Sequence, residues 1–468
     1  MHTPQLSRRV LLQASALALA GGATGATAPW AQAAPLGNKT NGRLIVVMLR
    51  GAYDGLSAFL PYADADYYAM RPNIAVAAPD STTKTALKLD NTFALHPALA
   101  PLLPLWQQGV LSFVPCAGLP TPNRSHFAAQ YEMEIGQSGK TSAAPGWLNK
   151  AAGENKAATA IGVDQRIATA IGVDQRIATA IGVGEANPAI LAGDAQVKLI
   201  PRGQAAQRTG VLANDKTRQA LMDLYAGNDK VSQAFRQGAG SRMQSAQELS
   251  TEKTETDGKR MGPAMRADMD KSQDKDGTPA TTQAQNAQML AASNGASDPI
   301  GLQLDAQHLG TLMRNDRQLS LGFLSAGGWD THANQGNAVG QLANNLANLG
   351  RAIAQLRQDF SEPGDVVVVM SEFGRTAAEN GTRGTDHGFG NAIWLVGNRV
   401  NGGRWHGQWT GLARGNLNEA RDLPAHHDYR AVIAQVLRST FATPDSILAH
   451  VLPGARWDSR LDSLIGKA

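Results

Sequence analysis

Three short apolar runs divide the chain into strand-sized units: residues 43–49 (RLIVVML), 110–115 (VLSFVP) and 365–370 (DVVVVM). Each is rich in β-branched residues and too short for an amphipathic helix, which predicts buried strands of a parallel sheet. A polar turn containing glycine follows the first two, and residues 371–376 (SEFGRT) follow the third. Between them lie segments with helical spacing: 96–108 (HPALAPLLPLWQQ), 125–135, 337–360 and 428–440. In 337–360 the positions Leu342, Leu346, Leu349, Ile353 and Leu356 share one face, as an amphipathic helix requires. Recurrence of strand, loop and helix predicts an α/β fold, a doubly wound and mostly parallel sheet with helices on both faces.

The pattern breaks in three places. From 204 to 298 the chain turns polar, with alternating charge in the stretch STEKTETDGKRMGPAMRADMDKSQDKDGTPATTQ, which predicts a helical insertion, partly mobile, between two parts of the core at 34–203 and 299–468. Residues 161–170 and 171–180 are identical copies of IGVDQRIATA, too few units for a solenoid, and they carry no ligand set; they read as a lengthened surface loop or strand edge. Residues 1–33 read SRRVLL, a Leu-rich and then Gly/Ala-rich stretch, and the small-x-small site Ala31-Gln32-Ala33. This resembles a twin-arginine export signal, with the export machinery as a partner and a periplasmic or secreted destination. A membrane anchor is the competing reading, but the Leu-rich part is short, so no stable membrane insertion is expected after cleavage.

Composition narrows the functions. The 468 residues carry a formal charge of +4, which falls to +2 without Arg8 and Arg9 of the leader, and no basic stripe appears, so nucleic acid is not an expected partner. The single cysteine, Cys116, cannot form an intrachain disulfide and reads as a small buried hydrophobe.

The candidate chemistry lies between Gly327 and Gly390. Asp330, His332, Glu372, Asp386 and His387 offer the carboxylate oxygens and imidazole nitrogens that zinc, iron and manganese accept. Glu372 and Arg375 follow the 365–370 strand at its carboxyl end, where open α/β sheets bind ligands. Asp54 follows the first strand, and Arg124 and Ser125 stand at a helix start after another, so parallel neighbours would bring all of them to one edge. Ser125 can cap that helix and can also serve as a nucleophile activated by an adjacent metal. Arg50, Arg124 and Arg375 match the geometry of an oxyanion, and the last two flank the proposed site residues. His426, His427, His96 and His406 read as structural.

The leader SRRVLL, with RGAYDGL, PNRSHF, GGWDTH, SEFGRT, GTDHGFGNA and DYRAVIAQVL, resembles the exported bacterial domain-of-unknown-function-1501 family over nearly all the mature chain outside the insertion and the repeat. That family is similar in turn to the alkaline phosphatase and sulfatase superfamily. The resemblance implies an alkaline-phosphatase-like sheet and one or two divalent metals, zinc first, with manganese or iron as alternatives. It also implies Asp54 as the first-strand metal carboxylate, Ser125 as nucleophile, Asp330, His332 and His387 on one metal, and Glu372 where the superfamily places an aspartate of the second. Two departures stand out. Phe373 follows Glu372 where the superfamily has histidine, leaving a second metal one ligand short unless a turn lets Asp386 supply it. Asp330 and His332 are two apart, which suits an extended loop. There is no Cys/Ser-x-Pro-x-Arg run, which argues against a formylglycine sulfatase.

The leading expectation is therefore an exported metal-dependent hydrolase of phosphate or sulfate esters, small or polymeric, using a metal-activated serine or water. The alternative is a catalytically degenerate periplasmic metal-containing binding protein, and a redox metalloenzyme is the third reading.

Overall fold

The structure is a computed structural model that describes residues 42–154 (except 81, 83 and 141), 159–163, 180–183, 188–256 and 280–466. The expected leader at 1–33, the middle of the decamer repeat and residues 257–279 of the insertion lie outside the described residues.

The fold is mixed α/β around a mostly parallel nine-stranded sheet. Its twelve described strands are β1 (Leu44–Leu49), β2 (Phe59–Leu60), β3 (Leu87–Lys88), β4 (Ala94–Leu95), β5 (Leu111–Gly118), β6 (Thr159–Val163), β7 (Ala180–Val183), β8 (Val197–Ile200), β9 (Leu319–Ala326), β10 (Val366–Met370), β11 (Asn391–Gly397) and β12 (His427–Asp428). The large sheet runs β12-β5-β11-β10-β1-β9-β6-β7-β8, and β2, β4 and β3 form a small antiparallel sheet. Within the large sheet β11 alone is antiparallel to its neighbours β10 and β5. The first and third of the three AIGV copies, at 160–163 and 180–183, become adjacent parallel strands in matching register, Ile161 beside Ile181, and the first of them sits inside the sheet beside β9 rather than at an edge.

The central strands are buried along their whole length, which is why they read as unbroken apolar runs. Alternate residues serve opposite faces. Leu44, Val46, Val366 and Val368 pack with the helix Tyr429–Phe441, whereas Ile45, Val47, Val367 and Val369 pack with the helices Leu302–Asn315 and Gln341–Asp359. In the last of these, Leu342, Leu346, Leu349, Ile353 and Leu356 are all buried. The helix starts at Gln341, later than periodicity alone suggests, because Gly340 adopts φ +117 and ends the preceding turn. Arg43 and Asp365, just before β1 and β10, form a buried bidentate pair that ties the two strand starts together. The described parts of 204–298 include the helices Asp215–Leu224, Lys230–Thr256 and Ala280–Ala292, and Leu249 joins the core. Among the described residues no helix is long and apolar enough to cross a membrane.

His96 joins the small sheet to the loop beyond His332. Its Nδ1 accepts from Ala98 N at 3.0 Å and its Nε2 donates to Asn337 O at 2.9 Å, so the neutral ring is fully used. Burial pushes its pKa down to about 4. The unfolded chain takes up this proton near pH 6.5 and the folded chain does not until about 4, so stability is complete above pH 6.5 and falls between these values. Thermal melting of wild type and His96→Gln should show this: the wild type loses on the order of 3 kcal/mol on acidification from pH 7 to 4 beyond the loss seen in the variant.

Candidate metal centre

Five loops converge at the carboxyl edge of the sheet around β5, β11, β10, β1 and β9. Each follows a buried strand or, for β11, precedes it, so the polar residues that end the apolar runs meet in space. Gly51 makes the close approach possible: it adopts φ +108, and a Cβ there would lie 2.8 Å from Asp330 N. Its N–H donates to Glu372 Oε1 at 2.7 Å.

The centre consists of three imidazoles and one carboxylate. His126 begins the helix α1 (His126–Ile135), His332 and Asp330 follow β9, and His387 precedes β11. His126 Nε2 and His387 Nε2 are 2.9 Å apart, and His332 Nε2 lies 3.0 Å from His387 Nε2. Asp330 Oδ1 faces all three, at 3.4, 2.9 and 3.3 Å from the Nε2 atoms of His126, His332 and His387. His126, Asp330 and His387 form a group that could hold a metal ion, with donor atoms all within 4.8 Å of one another.

The other nitrogen of each ring decides the chemistry. Nδ1 of His126 faces Glu372 Oε1 at 2.8 Å, Nδ1 of His332 faces Asp386 Oδ1 at 3.2 Å, and Nδ1 of His387 faces the Arg124 carbonyl at 2.9 Å. A carboxylate or carbonyl oxygen only accepts, so each Nδ1 carries the proton and each neutral ring presents its Nε2 lone pair inward. Three lone pairs and a carboxylate at such separations need a shared positive charge. Asp330 Oδ2 is buried without a hydrogen-bond partner, so part of the carboxylate's donor capacity is unspent. This donor set fits a divalent cation: ligand atoms about 2.1 Å from one ion lie about 3.0–3.4 Å from each other.

Electrostatics agree. Burial works against a charged His126, but Asp330 and Glu372 carry its pKa up to about 9, so a proton holds the positive charge when no cation does. Burial, joined by the charges of Arg375 and His126, pushes His387 below its ordinary value despite Asp330. Burial would raise Asp330, yet when no cation takes up the Nε2 lone pairs, N–H donation from the three histidines and the Arg375 charge hold it far below the usual carboxylate range. His332 and His387 are the open side of the centre, their side chains 24% and 22% exposed, so water and small molecules reach them.

The remaining expected residues take other positions. Glu372 and Asp386 hold histidine Nδ1 atoms from outside the centre. Asp54 is not gathered with them: both its oxygens pair with Arg71, and Oδ2 also accepts from Ser57 and Gln335. Arg375 is buried and each of its three nitrogens is engaged, on the carbonyls of Gly51, Ala52, Trp329 and Thr385 and on Asp330, which commits the guanidinium to the fold. Arg50 is likewise buried, against Glu134 and Gln130. Ser125 is exposed, N-terminal to α1, and its hydroxyl makes no capping bond. The Arg124 guanidinium, partly exposed, reaches Glu419 and Asp422. Phe373 packs on the rings of His126 and His387, at centroid distances of 4.8 and 5.1 Å. Sequence reasoning singled out Ser125 and passed over His126 beside it; the run PNRSHF held the signal, a histidine at a helix start past a buried strand. His426 and His427 stand apart, with His427 bonded to Asp458 and to Gln408 N.

Fold and site together define a mixed α/β protein with a candidate histidine and aspartate metal centre at the carboxyl edge of its sheet. The chain belongs to the family described as protein of unknown function (DUF1501), which it matches over residues 41–452. No curated protein matches it.

Equilibrium dialysis with elemental analysis tests the centre. His387→Ala should lose stoichiometric zinc or manganese that the wild type retains, while His427→Ala should keep it. Asp330→Ala should lose the metal and also about 3–5 kcal/mol of unfolding free energy, because Arg375 is left buried without its carboxylate.

Proposed function

We propose that the protein is an exported metal-dependent hydrolase of phosphate or sulfate esters, built around a single cation held by His126, His332, His387 and Asp330. The observation that carries this reading is the convergence of three Nε2 atoms on Asp330 with every Nδ1 anchored from outside. A cation there would supply Lewis acidity, drawing charge from ester oxygens and lowering the pKa of a neighbouring hydroxyl. Counting donors ranks the metals: His126, Asp330 and His387 alone leave zinc one open position, and with His332 added, manganese or iron, which accept more donors, suit the set better.

Ser125 supports the ester reading. Its hydroxyl is free of a capping bond and exposed beside His126, at the amino terminus of a ten-residue helix whose dipole favours an anion. Attack by its oxygen on phosphorus or sulfur would break the bond to the ester oxygen, and the hydroxyl proton, relayed through water, would pass to the departing oxygen to release the alcohol. Hydrolysis of the serine ester by a second water would then restore the hydroxyl. Arg124, partly exposed beside it, is the guanidinium best placed to bind the substrate anion, since Arg375 and Arg50 are committed to the fold. Glu372 and Asp386 keep the rings of His126 and His332 oriented. The twin-arginine-like leader supports export, and the likeness of the sequence motifs to the alkaline phosphatase and sulfatase superfamily supports the substrate class.

A second reading, a metal-containing binding protein without catalysis, is favoured by Phe373 and Asp54. Phe373 packs on two of the rings and Asp54 is held by Arg71, so the donors of a second cation are not gathered.

Turnover of p-nitrophenyl phosphate and p-nitrophenyl sulfate by the zinc-, manganese- and iron-loaded protein separates these readings. Ser125→Ala should slow the preferred ester at least about 100-fold without loss of metal. An unchanged rate in that variant would make water the nucleophile. Metal bound with neither ester cleaved would favour the binding protein.

A further inference from the structure

Gln130 meets three other parts of the fold at one buried amide. It lies one turn along α1 from His126, with its side chain fully buried. Its Nε2 donates to Glu372 Oε1 at 2.9 Å and to the main-chain carbonyl of Ala292 at 2.8 Å. Its Oε1 accepts from Arg50 NH1 at 2.8 Å. Glu372 Oε1 is the atom that also accepts from His126 Nδ1. Ala292 is the last residue of the helix α2 (Ala280–Ala292), which belongs to the polar segment between the two parts of the core.

The roles at this junction are not interchangeable. Arg50 can only donate, and the Glu372 carboxylate and the Ala292 carbonyl can only accept, so the amide has one satisfied orientation. Turned over, it would set its oxygen against two acceptors and its NH2 against a guanidinium. The terminal carbonyl of α2 therefore helps set the amide, the amide helps set Glu372, and Glu372 sets the tautomer and angle of His126.

We infer that Gln130 is a positioning residue of the metal centre and couples the end of α2 to His126 through Glu372. The inference rests on the reading of His126 as a metal-holding residue. Groups that act on a metal through its histidine typically change affinity 10–100-fold when removed. Gln130→Leu keeps the volume and removes both donors. Gln130→Glu keeps the shape but sets a carboxylate against Glu372 and the Ala292 carbonyl.

The test uses the full chain and Co2+, whose visible bands report the ligand field. Affinity is read by competition with a chelator, folding by circular dichroism and melting, and α2 by amide hydrogen exchange over residues 280–292 with and without Co2+. The wild type should bind one Co2+ and slow exchange at the carboxyl end of α2. Gln130→Leu and Gln130→Glu, folded, should bind Co2+ about 10–100-fold more weakly, shift its bands and lose the added protection. Loss in Gln130→Leu should not add to the loss in Glu372→Gln, since both remove one connection. If either folded Gln130 variant binds Co2+ with wild-type affinity and spectrum, Gln130 is structural only and the inference falls while the metal centre stands. If the folded wild type binds neither Co2+, Zn2+ nor Mn2+, the metal centre itself falls, and the inference with it.

Discussion

The site depends on satisfying one buried guanidinium. Arg375 carries five N–H donors into the interior, where an unmet donor is costly. It meets most of the demand by gathering the carbonyls of Gly51 and Ala52 after β1, Trp329 after β9 and Thr385 before β11, together with Asp330. Three loops are thereby held at one point, and the aspartate that faces the histidines receives its position and part of its countercharge from the same group. The cation in the wall of the site makes it possible to bury Asp330 with Oδ2 unspent.

Other charges of the interior are settled differently. Asp365 is matched by Arg43, Asp54 by Arg71, and Glu134 by Arg50, each carboxylate meeting a guanidinium at short range. These carboxylates are already matched and have little to offer a ligand. Asp330 also has an arginine, but three imidazoles crowd the same oxygen that Arg375 meets, and the other oxygen lacks a partner. A buried carboxylate whose surroundings exceed its own needs is the mark of a site, whereas one whose needs are met marks a joint in the fold. The outer acceptors deepen the contrast. Glu372, Asp386 and the Arg124 carbonyl have nothing in common except that each turns a ring so that its Nε2 faces inward, which is what a metal ligand requires.

Much of the architecture was legible in the chain. The runs at 43–49 and 365–370 became β1 and β10 almost residue for residue, because a strand buried on both faces must be apolar at every position. The stripe from Leu342 to Leu356 became the buried face of a helix. The direction of β11 was not legible: its sequence, NAIWLVG, is as apolar as its neighbours, and hydrophobicity carries no sign for strand direction. The site was legible as a region but not as a partition. Asp330, His332 and His387 lie together, while Asp54 went to Arg71, Glu372 and Asp386 stand behind the rings, and His126 entered unannounced.

The amino-acid sequence by itself determined which segments are strands and helices, and that the polar turns after buried strands carry oxygen and nitrogen donors suited to a hard or borderline cation. These follow from periodicity and residue type, which are local properties. Only the tertiary structure decided which carboxylates face the cluster, which are consumed by arginines, and which imidazole nitrogen points inward. Those outcomes depend on distances of about 3 Å between residues far apart in the chain, such as Ala52 and Arg375, 323 positions apart, and on the direction of single hydrogen bonds. No local pattern encodes them, because a carboxylate's role is set by whichever donor the fold brings to it first.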